Sequence, residues 1–223
     1  AALVAAIRTG RRIFDNLRKS MAYILAVHVP IAGLALLPLL LGWPLALLPV
    51  HVVFLELIID PACSLVFEAE AGDPDLMTRP PRDPHEALFG RFALGIAALQ
   101  GLIALAMVAG IYGSALQTGL SADAARTSAF LTLVAANLAL IFANRSWTQG
   151  PLAVLHRRNP VLGWVFLGAG GALALTLALP QARGFFQFDL PPAPVIVGAI
   201  AAGLASQLWF EALKRSAWWR RRA

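Results

Sequence analysis

The chain has 223 residues, of which 59% are hydrophobic and only 13% charged, and its mean hydropathy is +0.71. That balance excludes an ordinary soluble domain and puts the chain among membrane proteins. The net charge of +6 comes from basic residues clustered between and beyond apolar runs, which points to membrane topology and anionic headgroups and away from nucleic acid as a partner.

The opening AALVAAIRTGRRIFDNLRKS places Leu3, Ala6, Ile7, Ile13 and Leu17 at helical spacing and runs into an apolar stretch without a cap. Residues 1–19 therefore predict a stalk helix that continues into the membrane, and the chain is expected to be part of a longer one. A hydrocarbon slab of about 30 Å takes roughly 20 helical residues. On that measure six spans are expected, at about 20–42, 44–67, 92–115, 125–144, 161–180 and 193–213. The runs are too long, and alternate too little, for the strands of a closed barrel. The fold class is thus all-α: a polytopic membrane protein of six transmembrane helices, with a stalk continuing into the first.

Sixteen of the eighteen Lys and Arg fall on one side of these spans, leaving Arg126 and Arg183 for the other. By the positive-inside tendency, both termini and the long loops are expected in the cytoplasm. The loop 68–91 carries Pro74, Pro80, Pro81 and Pro84, which block helix, and its acids alternate with Arg79 and Arg82. It is expected to be ordered by pairing against a neighbouring stalk or domain. Trp218, Trp219 and Arg220 to Arg222 fit an interfacial anchor on the lipid bilayer.

Ten of the twelve acids lie in loops, at span ends or in the stalk, whereas Glu56 and Asp60 lie deep in the second span, in FLELIIDPACSLVFE. An acid at the centre of an inserted helix costs roughly 2.5 to 3.5 kcal/mol, so two in one helix call for partners and a use. Four residues apart on an α-helix, they share one face, and no mid-span Lys or Arg balances them. Oxygen ligands on one face suit a hard cation. Pro61 removes a backbone donor and displaces the carbonyl of Leu57, and Pro30 in the first span does the same to Ala26. Carbonyls freed at membrane depth can serve as ion ligands. His28, two residues before Pro30, is the first span's mid-membrane ionisable group. The candidate metal site is therefore Glu56 and Asp60 with His28, facing the first span.

Other features carry plainer readings. Cys63 alone excludes an internal disulfide and a clustered-thiolate metal site. Gly168, Gly170 and Gly171 predict close helix approach. His51 lies near the outer interface, on a different face from Glu56, with a proton-exit role as its functional alternative to packing. No glycine-rich phosphate loop and no nucleophile paired with a base is present, so this chain binds no cofactor of its own and cannot hydrolyse ATP.

The stalk TGRRIFDNLRKSMAYILAVHV, the run LLPVHVVFLELIIDPACSLVFEAEAGDPDLMTRPPR with its D-x-M-x-R-P-P-R motif (Asp75, Met77, Arg79, Pro80, Pro81, Arg82), Asn137 and the WFEALKR ending resemble the C-terminal membrane region of P-type cation pumps. The similarity is to the calcium and sodium/potassium branch and covers essentially the whole chain. It implies that the six spans are helices five to ten of a ten-helix pump in a bacterial inner membrane. The family's ion-ligating sixth-helix aspartate falls on Asp60, an asparagine ligand of calcium pumps on Glu56, and the fifth-helix asparagine on His28. Two further acidic ligands of two-calcium pumps fall on Ile31 and Val134, so the resemblance implies one ion, calcium or another small cation. ATP and Mg2+ would belong to the full-length pump, whose upstream helices and cytoplasmic domains would be the chain's partners. The rival reading is a separate membrane protein, a secondary transporter or a pump-associated subunit, in which Glu56 and Asp60 carry protons.

Overall fold

The computed structural model describes residues 2–80, 90–216 and 219, without the side chains of 58–63 and 152. Among the described residues the chain is helical and without strands: α1 (Ala2–Leu41), α2 (Pro49–Phe54), a π-helical turn (Leu55–Ile59), α3 (Asp60–Glu68), α4 (Arg91–Gln117), α5 (Ala122–Asn144), α6 (Pro151–His156), α7 (Pro160–Ala178), α8 (Pro180–Phe186), α9 (Ala193–Ala205) and α10 (Leu208–Lys214). Among the described residues, five segments are long and apolar enough to cross a membrane: α1, α4, α5, α7, and α9 with α10. The chain is an all-α integral membrane protein.

Residues 49–68 form a further segment in which α2, the π turn and α3 follow without a gap. At about 1.5 Å per residue this covers roughly 30 Å, one hydrocarbon thickness. It begins at Pro49 and not near 44. A proline in the first helical turn loses no hydrogen bond, and Pro49 takes that place, with Leu48 as extended N-cap. Residues 43–48 are held outside the helix by the Tyr112 hydroxyl, which donates to the Pro44 carbonyl at 2.7 Å, and by Arg126 Nε, which donates to that of Leu45 at 3.1 Å.

The spans α1 and α4 end in the same way. Gly42 and Gly119 take positive φ values of 68° and 82°, and the next residue in each case donates back to a carbonyl in the last turn (Trp43 to Pro38, Leu120 to Ala115). This left-handed cap closes carbonyls that would otherwise be exposed, and it suits glycine because no Cβ is strained.

Helix α5 is the centre of the bundle, packed against α1, α4 and α9 and buried over most of its length. Close approach depends on glycines that hydropathy did not single out. A Cβ on Gly101 of α4 would strike the Ala26 carbonyl and Val29 of α1, and one on Gly203 of α9 would strike the α5 backbone at Thr132 and Ala136. Gly168, Gly170 and Gly171, expected in that role, have open space around them on an exposed face of α7. Trp219 also departs from expectation. It is fully buried, donating its indole N–H to the Trp147 carbonyl at 2.6 Å and packing on Phe92, Phe210 and Trp147, so it anchors the tail to protein and not to lipid. Trp218 and Arg220 to Arg222 lie outside the described residues.

Candidate ion-binding site

Two of the three candidate ligands come together. His28 on α1 and Glu56 in the π turn approach to 3.4 Å, Nε2 to Oε1, with side chains 46% and 44% exposed. The other ring nitrogen of His28 lies 2.7 Å from the Ile24 carbonyl one turn earlier. An N–H at that nitrogen donates to the carbonyl and fixes the ring so that Nε2 faces Glu56. Glu56 therefore does not sit among apolar side chains alone, as its neighbours in sequence imply; a ring from the adjacent helix reaches it. Asp60 opens α3, but its side chain lies outside those described. Among the described residues no group of three His, Cys, Asp or Glu is gathered closely enough to hold a metal ion.

The two prolines act differently from each other. α1 runs without a break through Pro30 and Pro38, and the Ala26 carbonyl opposite Pro30 faces Gly101 of α4. It is buried in a helix contact, so the expectation that Pro30 frees it as an ion ligand is corrected. Before Pro61 the helix does widen: Leu55–Ile59 is π-helical. A single π turn inside an α-helix loosens the backbone without ending it. Because Glu56 lies in that turn, its relation to Asp60 is not the α-helical one that a spacing of four assumes.

His51 is locked in place. The Leu48 N–H donates to its Nδ1 at 3.0 Å, its Nε2 lies 2.8 Å from the Phe186 carbonyl, and its ring stacks on Phe188 at 4.8 Å. Its geometry is that of a buried tie between α2 and the segment after α8. Asn137 in α5 is fully buried, and among the described residues neither polar atom of its side chain has a hydrogen-bond partner.

Beyond α3 lies a denser charge cluster, on the side of the bundle that holds most of the basic residues. Glu70 and Arg145 are each about 1% exposed in their side chains and pair at 2.8 Å, with Asn159 donating to the same carboxylate at 2.9 Å. Asn16 of α1 donates to the Glu70 carbonyl at 2.8 Å. Asp73 binds Lys19 of α1 at 3.0 Å and Arg157 at 2.9 Å. Arg79 binds Asp15 at 2.9 Å and Asp75 at 2.8 Å, and Arg11 donates to the carbonyls of Leu76 and Arg79, both at 2.8 Å. Residues 70–79 thus bind the stalk on one side and the loop after α5 on the other. Burial alone would raise the Asp73 carboxyl, but Lys19 and Arg157 outweigh it and hold it below the usual carboxylate range. Asp75 is held low by its hydrogen bonds from Arg79. Asp83, Glu86 and Arg82 of the same loop lie outside the described residues.

Sequence reading assigned Glu70 and Asp73 to a loop and gave them no individual role. The signal available was Asn16 and Lys19 in the stalk, polar residues one turn apart where the helix nears the membrane.

A family model described as cation transporting ATPase, C-terminus, matches residues 44–216. A calcium-transporting ATPase of Bacillus subtilis is 32% identical over 76% of this chain and 18% of its own length. A calcium-transporting ATPase of Listeria monocytogenes is 31% identical over 91% of this chain and 23% of its own length. A cation-transporting ATPase of Synechocystis is 27% identical over 81% and 20%. The chain spans about a fifth of the length of these relatives.

Proposed function

The chain belongs to the cation-transporting ATPase family, in its C-terminal membrane region, and from that premise we propose that it supplies part of the ion site of an ATP-driven cation pump. Glu56, Asp60 and His28 are the proposed contributors, and calcium is the first candidate ion because two similar relatives carry that name. ATP and Mg2+ act on parts of the pump outside this chain. The proposed setting is a bacterial plasma membrane with both ends of the chain in the cytoplasm, in keeping with the distribution of Lys and Arg.

The observation that carries this reading is the His28–Glu56 pair at a π turn, nearly half exposed within membrane-spanning helices. A carboxylate exposed to hydrocarbon is costly, so such a face needs a cover. Relatives about five times longer have the additional chain to provide one. With the cover in place, the Glu56 carboxylate and its neighbours would offer oxygen ligands to a dehydrated cation, and the His28 ring would orient the carboxylate. The stalk, joined through residues 70–79 to the loop after α5, would carry movement between the membrane and the cytoplasmic domains.

The test is made in the full-length pump, by measuring ion-dependent phosphorylation from ATP. Asp60→Asn should abolish it while the protein still inserts, and Glu56→Gln should weaken the ion affinity at least tenfold. Wild-type ion dependence in both variants would remove the site from these residues.

A further inference from the structure

A small cavity lies where three segments meet: the stalk part of α1, the loop 70–79 and the turn after α5. It measures about 40 Å³, against the roughly 30 Å³ that one water takes in the liquid, so it has room for a single water or a monatomic ion and none for an organic acid. Its walls are charged and half closed. Lys19 and Asp73 are buried, whereas Asp15 and Arg79 keep 20% and 33% of their side chains exposed, so the cavity communicates with solvent.

The walls carry three cations and two carboxylates. Both carboxylates are taken: Asp15 by Arg79 at 2.9 Å, and Asp73 by Lys19 at 3.0 Å and by Arg157 at 2.9 Å. Arg18 is the cation left over. Its guanidinium lies over the Trp147 ring, 5.8 Å from the centroid, and among the described residues its buried Nε has no hydrogen-bond partner. Arg157 and Asp75, which share these partners, add one charge of each sign and leave the surplus unchanged. Thr148 adds a neutral donor. The Ser146 oxygen beside it already accepts the N–H groups of Thr148 and Gln149, at 3.4 and 3.1 Å, and the Ser146 proton goes to Asp73 at 3.3 Å. The Thr148 hydroxyl, 3.4 Å from that oxygen, is therefore free to turn its own proton into the cavity.

We infer that this cavity is a binding site for a halide ion, chloride in the cell, held by Arg18, by Lys19 and by Thr148. Lys19 has three donors and uses one on Asp73. Surplus positive charge beside a space of one ion's size favours a small anion over water, because charge-assisted hydrogen bonds are roughly twice as strong as neutral ones. A metal cation would meet three positive side chains, and a water would leave the Arg18 charge unanswered. The bound ion ties the stalk to the turn after α5, beside the stacking of Arg18 on Trp147. The inference rests on the charges and size of this cavity and not on the proposed ion site in the membrane.

The experiment uses the full-length protein in detergent, with chloride replaced stepwise by gluconate, which is too large for the cavity, at constant ionic strength. Binding is read from the broadening of the chloride NMR line and from the melting temperature. Wild type should bind chloride saturably and melt higher in chloride than in gluconate. Arg18→Gln should weaken the binding by about tenfold or more, the loss of one hydrogen bond to a charged group, and Thr148→Val by less. In crystals of wild type soaked in bromide, an anomalous peak should stand beside Arg18 and Thr148. Superposed melting curves in chloride and gluconate, without saturable line broadening, would overturn the inference. So would saturable binding that both variants retain in full, which would put the ion elsewhere. A carboxylate from another part of the longer polypeptide seated on Arg18, with no bromide beside it, would overturn it too, and that readout needs no variant to fold.

Discussion

Glu56 and Glu70 belong to the same membrane segment and its exit, and the fold treats them in opposite ways. Glu70 is about 1% exposed, paired with Arg145 and bonded by Asn159, so its charge is answered entirely from within this chain. Glu56 is 44% exposed and has one described partner, a histidine at 3.4 Å. A buried ion pair with every lone pair met fixes geometry, and removing either partner strands a charge. A half-open pair contributes little to stability and stays free to exchange partners. The cluster around Glu70 is therefore architecture, whereas the pair at Glu56 has the openness that the proposed ion site requires.

Substitutions should widen that contrast. The largest loss is expected for Arg145→Met, which leaves buried Glu70 with only the more distant Arg157, 3.8 Å away, as its cation, at about 3–5 kcal/mol. Chemical unfolding in detergent measures it, and a loss under about 1 kcal/mol would mean that water reaches Glu70. Asp73→Asn should cost about 2 kcal/mol at neutral pH, the scale of a hydrogen bond to a charged group. Because the folded Asp73 carboxyl lies below its unfolded value of about 3.9, its contribution is present above that value and is lost as pH falls through the folded one. Stability curves of wild type and Asp73→Asn should thus converge in acid; parallel curves down to about pH 2 would deny the ion pairing its role.

A neutral substitution of similar size separates packing from charge. Gly101→Ala should cost about 1–3 kcal/mol through the α1–α4 contact, while Gly168→Ala on the open face of α7 should not lower the melting temperature and, by helix propensity, should raise it slightly. Smallest of all should be the stability effect of Glu56→Gln, at less than about 1 kcal/mol. If it proved as destabilising as Arg145→Met, Glu56 would belong to the architecture and the contrast would collapse.

Hydropathy made the helical class readable, because lipid forces apolar runs of one length on any helical span. Single residues that break a rule were readable too: Glu56, Asp60 and His28 stand out against their surroundings. The contact between His28 and Glu56 was not, since it depends on how two helices pack. Nor was the unbroken course of α1 through Pro30, where Ala26 packs on Gly101. Trp219 misled for a related reason: an indole beside arginines fits a membrane interface and a protein pocket equally well, and only tertiary structure separates them. The cluster of Glu70 and Asp73 escaped notice because acids in a polar loop are ordinary until their partners are seen to arrive from α1 and from the loop after α5.

The π turn at Leu55–Ile59 amounts to one residue inserted into an otherwise α-helical rod. Deleting one residue there, Leu57 for example, would let the α-helix close while both sides kept their faces, because the wide turn absorbs the extra residue that an unbroken α-helix would answer with a rotation of about 100°. Phe54 before the turn and Val66 and Phe67 after it could then keep their places while the backbone beside Glu56 lost its widening. Chain length within this one turn, apart from side-chain chemistry, thus sets how open the backbone is beside the candidate ligands, and a shortened homologue could keep every one of them and still lose the wide turn between them.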